Sequence, residues 1–238
     1  MRALLLLLAV LTTGCFNVST DGERVEGSGT EGRRTVDADG VREVRLAAPG
    51  TLVITPGAAP LVIEGDDNLV DRLEVEVDDG ELSIQVPPGA SFRLDRPLRM
   101  RIGVERLEGV EVAGSGRVEA SDVQTDDLDA AIAGAGALAL DGLRAEAVDV
   151  RVAGSGDVTL SGRAGRLDVE IAGSGDVDAS GLAAGEASVS VAGSGDVTVR
   201  VEKALDVEIM GSGDVHYFGS PTVSRRVMGS GDVSRRGD

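Results

Sequence analysis

Tryptophan is absent from this chain, and aromatic residues make up only 2% of its 238 positions. A core built without large rings must be filled by small aliphatic side chains. There is one cysteine, so no intrachain disulfide can form. There is one histidine, His216, which leaves little scope for the nucleophile–histidine–acid arrangement of hydrolases. A Cys–His zinc spacing is missing, as is the glycine-rich lysine motif that cradles phosphates, so no cofactor is expected. Basic charge is scarce as well. The formal net charge is −18, which argues against nucleic-acid partners and gives repulsion from anionic lipid surfaces.

What the chain does have begins with a leader. Met1-Arg2 is followed by an uncharged apolar run from Ala3 to Leu11, too short to span a bilayer and suited to the hydrophobic part of a secretion signal. Thr12-Thr13-Gly14-Cys15 comes next. It resembles the bacterial lipoprotein signal, in which a small residue precedes a cysteine that is acylated, by palmitate among other chains, and becomes the first mature residue. Thr12 stands where that signal prefers Leu. The expectation is a signal peptide over 1–14 and lipidation at Cys15. Loss of Arg2 would take the net charge from −18 to −19. Several acyl chains give firm membrane attachment where a single one does not. Phe16, in place of the Asp that commonly retains lipoproteins at the inner membrane, favours the outer membrane in a two-membrane envelope. Residues 15–24 are polar and aperiodic and read as a tether.

Residues 25–109 read as strands joined by turns. Leu73, Val75 and Val77 alternate with Glu74, Glu76 and Asp78, and Leu82, Ile84 and Val86 alternate again after Asp79-Gly80, which predicts a hairpin. Asn68 to Arg72 has room for one helical turn. Gly65 to Asn68 reads as a turn.

From Val110 onward the chain repeats itself. Gly114, Gly134, Gly154, Gly173, Gly193, Gly211 and Gly229 each open a Gly-Ser-Gly or, once, a Gly-Ala-Gly, at intervals of 20, 20, 19, 20, 18 and 18 residues. Aliphatic residues hold fixed even offsets from that glycine on both sides. Val112, Ile132, Val152, Ile171, Val191, Ile209 and Val227 stand two before it, and Val118, Leu138, Val158, Val177, Val197, Val215 and Val233 stand four after it. Even offsets mean strands whose alternate residues point inward. One unit of this size cannot offset its own ordering entropy, so the units must share a core by stacking. The predicted fold is all-β: a right-handed parallel β-solenoid of 18–20-residue coils over 110–238, continuous with the strand-rich section before it. Arg225 and Arg235 interrupt two interior columns in the last unit, as expected of charges that stop further stacking.

In this reading the Gly-Ser-Gly-Asp stretch is a corner. Glycine allows a positive φ and close approach of the next coil. Serine is expected to bond to backbone or to its counterparts above and below, and aspartate to accept from N–H groups two residues on. Asp157, Asp176, Asp196, Asp214 and Asp232 would stand in one column. Like charges about 4.8 Å apart repel by roughly 0.9 kcal/mol per pair in water, which an exposed ladder tolerates. As an alternative, the column is a set of calcium ligands like those of the Gly-Gly-x-Gly-x-Asp β-roll. Against that, Asp here directly follows the second glycine, and Arg117 and Ala137 replace it in the first two units.

Several stretches together resemble the bacterial auto-transporter adhesin head GIN domain family. They are Gly27-Ser28-Gly29, the run from Leu61 to Val70, the run from Val77 to Ile84, the serial Ala-Gly-Ser-Gly-Asp-Val repeats, and the run from Val215 to Pro221. The resemblance spans nearly all of the chain after the leader. It implies a secreted or lipid-anchored β-solenoid and brings no catalytic residues. The expected function is a lipid-anchored envelope protein presenting a rigid acidic surface for binding, adhesion or scaffolding, with an envelope or extracellular protein or glycan as partner. A polysaccharide-active β-helix enzyme is the rival from another class. Its carboxylates would be hard to single out among 41 acidic residues, and its sugar platforms would have to come from Phe16, Phe92, Phe218 and Tyr217. With Val215 and Tyr217 in interior columns, His216 is expected to face solvent.

Overall fold

The computed structural model describes residues 23–237. In chain order the elements are β1 (Glu23–Glu26), β2 (Glu31–Val36), β3 (Glu43–Ala47), β4 (Thr51–Pro56), β5 (Ala59–Asp66), α1 (Asp67–Val70), β6 (Glu74–Asp78), β7 (Glu81–Gln85), β8 (Ala90–Arg93), β9 (Arg99–Val104), β10 (Gly109–Gly114), β11 (Arg117–Ser121), β12 (Asp127–Gly134), β13 (Ala137–Gly154), β14 (Asp157–Gly173), β15 (Val177–Gly193), β16 (Val197–Gly211), β17 (Val215–Gly219), β18 (Thr222–Gly229) and β19 (Val233–Arg235). Stacked parallel strands form a β-solenoid, as the even offsets require.

Each coil contributes one stretch before its Gly-Ser-Gly corner and one after it, and equivalent stretches pair in register. Ile132 lies beside Val152, Val152 beside Ile171, and Ile171 beside Val191. On the other side of the corner Leu138 lies beside Val158, Val158 beside Val177, and Val177 beside Val197. These columns are buried and form one continuous aliphatic core. The columns fail only where stacking stops. Val227 is 37% exposed because no further coil covers it, and Tyr217 is half-buried because the strand beyond it places Arg235 rather than an aliphatic residue opposite it.

The strands β13 to β16 also pass through a third side that the spacing does not reveal. Leu143, Ala164, Leu182, Ala184 and Val201 are buried there. Register shifts fall between Leu140 and Leu143, Thr159 and Ser161, and Ala179 and Ala183, so the variation in repeat length is absorbed at this second corner.

The strands of 25–109 belong to the same stack, but not in chain order. β3 pairs in parallel with both β10 and β7, and β4 with both β11 and β9. The coil made of β3 and β4 is therefore inserted between β7/β9 and β10/β11, although β7 and β9 follow it in sequence. After β9 the chain steps back past that level, where the Glu108 N–H donates to the Arg42 carbonyl at 2.8 Å. The predicted hairpin is β6–β7, antiparallel, with Asp79 and Gly80 both at positive φ. The helical turn is α1, which starts one residue earlier and ends two residues earlier than expected and buries Leu69 and Val70. β1 begins at Glu23 and pairs with β8, so Glu23 and Arg24 are in a strand rather than a tether. Among the described residues no helix is long and apolar enough to cross a membrane.

Candidate functional site

At the Gly-Ser-Gly corner, Gly193 has φ +145°, and a Cβ on it would overlap the Gly173 carbonyl oxygen of the coil beneath. The serine contributes its backbone: Ser155, Ser174, Ser194, Ser212 and Ser230 each donate N–H to the first glycine of the preceding coil at 2.8–2.9 Å. Their side chains are exposed, which corrects the expected hydroxyl bonding.

The aspartates do form a column, but their hydrogen bonds run differently from the expectation. Each carboxylate accepts from the N–H of the next aspartate in the column, not from two residues on. Asp176 Oδ1 accepts from Asp196, Asp196 from Asp214, and Asp214 from Asp232, each at 2.8 Å. The first step, Asp157 Oδ1 to the Asp176 N–H, is 3.4 Å. The aspartate carbonyls accept in turn from Val158, Val177, Val197 and Val215. This staircase ties coil to coil with one carboxylate oxygen per step. Among the described residues no group of three or more His, Cys, Asp or Glu side chains is arranged to hold a metal ion.

Among the described residues one acidic side chain is buried, and the repeat pattern gives no sign of it. Asp66, 1% exposed, joins three segments at the N-terminal end of the stack. Its Oδ1 accepts from the Gly29 N–H at 2.9 Å, and its Oδ2 accepts from the N–H groups of Asp95 and Arg96, each at 3.0 Å. Burial pushes its pKa up. The backbone donors of Arg96, Gly29 and Asp95 and the Arg96 charge pull harder, so the carboxyl is held below the usual range. Gly27 lies against this carboxylate, and a Cβ there would overlap Oδ2. Asn68 completes the knot, accepting from the Ser28 N–H at 3.0 Å and donating to the Glu26 carbonyl at 2.8 Å. Two of the stretches that carry the family resemblance, 27–29 and 61–70, therefore meet here.

The outward side of the strands before the corner carries a run of paired charge. Arg151 donates to Asp129 at 3.0 Å and lies within 4.0 Å of Asp149 and Glu170. The Asp129 hydrogen bond raises its pKa further, so it stays charged. Arg166 pairs with Asp168 at 2.7 Å. Shallow grooves follow this face past Asp149, Arg151 and Glu170. A separate groove of about 440 Å³ lies beside the chain crossover, with Asp39, Arg42, Glu105 and Arg106 at its edge. His216 is half-buried rather than free in solvent, and its Nδ1 is 2.9 Å from Ser234 Oγ in the next coil. Phe218 is half-buried and stacks beneath the Arg200 guanidinium at 4.9 Å. Cys15 and Phe16 lie outside the described residues.

Stacked aliphatic coils, glycine corners and an aspartate staircase define a β-solenoid of the adhesin-head type. Residues 42–221 match the family described as "Putative auto-transporter adhesin, head GIN domain", and the chain belongs to that family. A comparison with curated proteins finds no match. Among solved structures, a "putative adhesin" from Bacteroides fragilis NCTC 9343 is similar at 26% identity and a TM-score of 0.83, over 89% of this chain and 100% of that one. A "putative lipid binding protein" from Parabacteroides distasonis ATCC 8503 shares the fold at 24% identity and a TM-score of 0.76, over 90% and 100%. A "putative adhesin" from Parabacteroides merdae ATCC 43184 does so at 19% and 0.66, over 90% and 99%.

Proposed function

We propose that this chain is a non-catalytic cell-envelope protein, held by lipid at Cys15, whose rigid acidic solenoid presents a surface for adhesion or scaffolding. The observation that carries this reading is the match of residues 42–221 to the adhesin head family. The apolar run before Cys15 supports the anchor. The backbone ladder supports rigidity, because each coil is tied to its neighbours along two sides and at the corner. Charged side chains such as Arg151, Asp149 and Glu170 are then held at regular spacing, which suits recognition of a polar protein or glycan surface.

Two experiments test the two halves of the proposal. Cys15→Ser should move the protein from the membrane fraction to the soluble fraction; unchanged membrane association would overturn the anchor. The soluble Cys15→Ser chain, immobilised and exposed to envelope extract and to a glycan array, should retain a specific component. Retention of nothing above a blank surface would overturn adhesion and leave a purely structural role.

A further inference from the structure

The solenoid ends differently on its two sides, and the difference is one of charge. The sheet formed by the strands before each corner runs β6, β7, β3, β10, β12, then through β13 to β16, and ends at β18. β6 pairs only with β7 and β18 only with β16, so among the described residues each leaves one row of backbone N–H and C=O groups free. An open edge of this kind is a template for another strand.

β6 reads Glu-Val-Glu-Val-Asp and continues into Asp79. β18 reads Thr-Val-Ser-Arg-Arg-Val-Met-Gly. Among the described residues no ion pair engages Glu74, Glu76 or Asp78, while Arg226 reaches Glu208 only at 3.9 Å. Apolar side chains stand open at both edges, with Val77 39% exposed at one, and Met228 51% and Val227 37% exposed at the other. Charges of one sign on both edges would keep every copy apart. Opposite signs oppose acidic-to-acidic and basic-to-basic contacts and leave one pairing open.

We propose that β6 of one copy of this chain pairs with β18 of a second, so that molecules associate head to tail. β18 is parallel to the body of the sheet and β6 is antiparallel to it, so the joint is an antiparallel ladder. Placing Glu76 opposite Arg226 also places Val75 opposite Val227 and Glu74 opposite Met228. The inward and outward faces then agree on both strands. Val75 and Val77 share a face with buried Ile84 and Leu82, and Val227 and Arg225 with buried Ile209 and Val207. Arg225 bends over the end of the core and donates to the Val233 carbonyl at 3.3 Å, which leaves Arg226 as the outward contact. At the other end Arg34 of β2 donates to the Leu73 carbonyl at 2.8 Å and lies across the end of the stack, so the contact is made at the β6 edge. A heterologous joint of this type does not close on itself and builds open chains.

The test is sedimentation velocity on the full chain carrying Cys15→Ser, over a range of concentration. The sedimentation coefficient should rise with concentration in the parent. Glu76→Arg and Arg226→Glu should each weaken association by about 10-fold or more. Both positions are exposed, and unchanged thermal unfolding checks that each variant folds; Glu74→Arg and Arg226→Gln serve if either does not. An equimolar mixture of Glu76→Arg and Arg226→Glu should associate again, because each supplies the edge the other needs. A parent that stays monomeric, single variants that associate like the parent, or a mixture that stays monomeric would each overturn the proposal. None of these outcomes depends on what the outer face binds.

Discussion

Asp66 shows how a single residue organises one end of this molecule. It is a buried carboxylate accepting three backbone N–H bonds from two separate segments, and its pKa lies below the usual value. The unfolded chain binds this proton near pH 3.9, and the folded chain releases it lower. The stabilisation is therefore complete above the unfolded value and is lost as pH falls through the folded one. Asp66→Asn cannot satisfy the same donors. Its amide nitrogen must face either the Gly29 N–H or the pair from Asp95 and Arg96. Urea unfolding at pH 7 should show a less stable protein, and the drop in stability of the parent as pH falls below the ordinary aspartate value of about 3.9 should shrink in the variant. An unchanged acid profile would remove Asp66 from its assigned role. The staircase aspartates are a contrast: all but half-buried Asp214 are exposed, and each step uses one carboxylate oxygen, so the column is held by backbone donors rather than by burial.

At the scale of the element, what matters is whether a coil has neighbours on both sides. Leu167 in β14 is fully buried between Val148 and Ala187. Leu167→Ala should cost about 2–5 kcal/mol by removing apolar contact and leaving a cavity. Val227 also faces inward, in a neighbouring column of the last coil, but has a neighbour on one side only, and it is already partly exposed. Val227→Ala should cost under about 1 kcal/mol, since exposed sites change stability little. Denaturant midpoints of the two variants check the contrast; equal losses would mean that the terminal coil is as well packed as the middle. The same reasoning explains why Arg225 and Arg235 are tolerated in β18 and β19 and would not be in β14.

At the scale of the whole molecule, a net charge of −18 makes copies of the chain repel one another, and yet its first sheet ends in one acidic and one basic edge. Global charge discourages association while local charge selects one mode of it. The proposed lipid at Cys15 would concentrate copies on a surface, where even a weak head-to-tail joint gains from high local concentration. The fractionation and sedimentation experiments bear on these two features separately.

Sequence alone determined the coil, the inward columns and the corner, because a period of two with fixed offsets from a glycine has one economical burial. It also showed where stacking ends, since arginine in an aliphatic column marks an uncovered coil. The tertiary structure decided three other things. The coil of β3 and β4 lies between strands that follow it, which pairing alone reveals because local periodicity carries no stacking order. The third side, with Leu143, Leu182 and Val201, was hidden by insertions that blur its offsets. Asp66 looked like one acid in a polar turn, and only the convergence of Gly29, Asp95 and Arg96 made it a buried acceptor. Side chains that repeat can be read from spacing; contacts made once, between segments distant in sequence, exist only when the chain has folded.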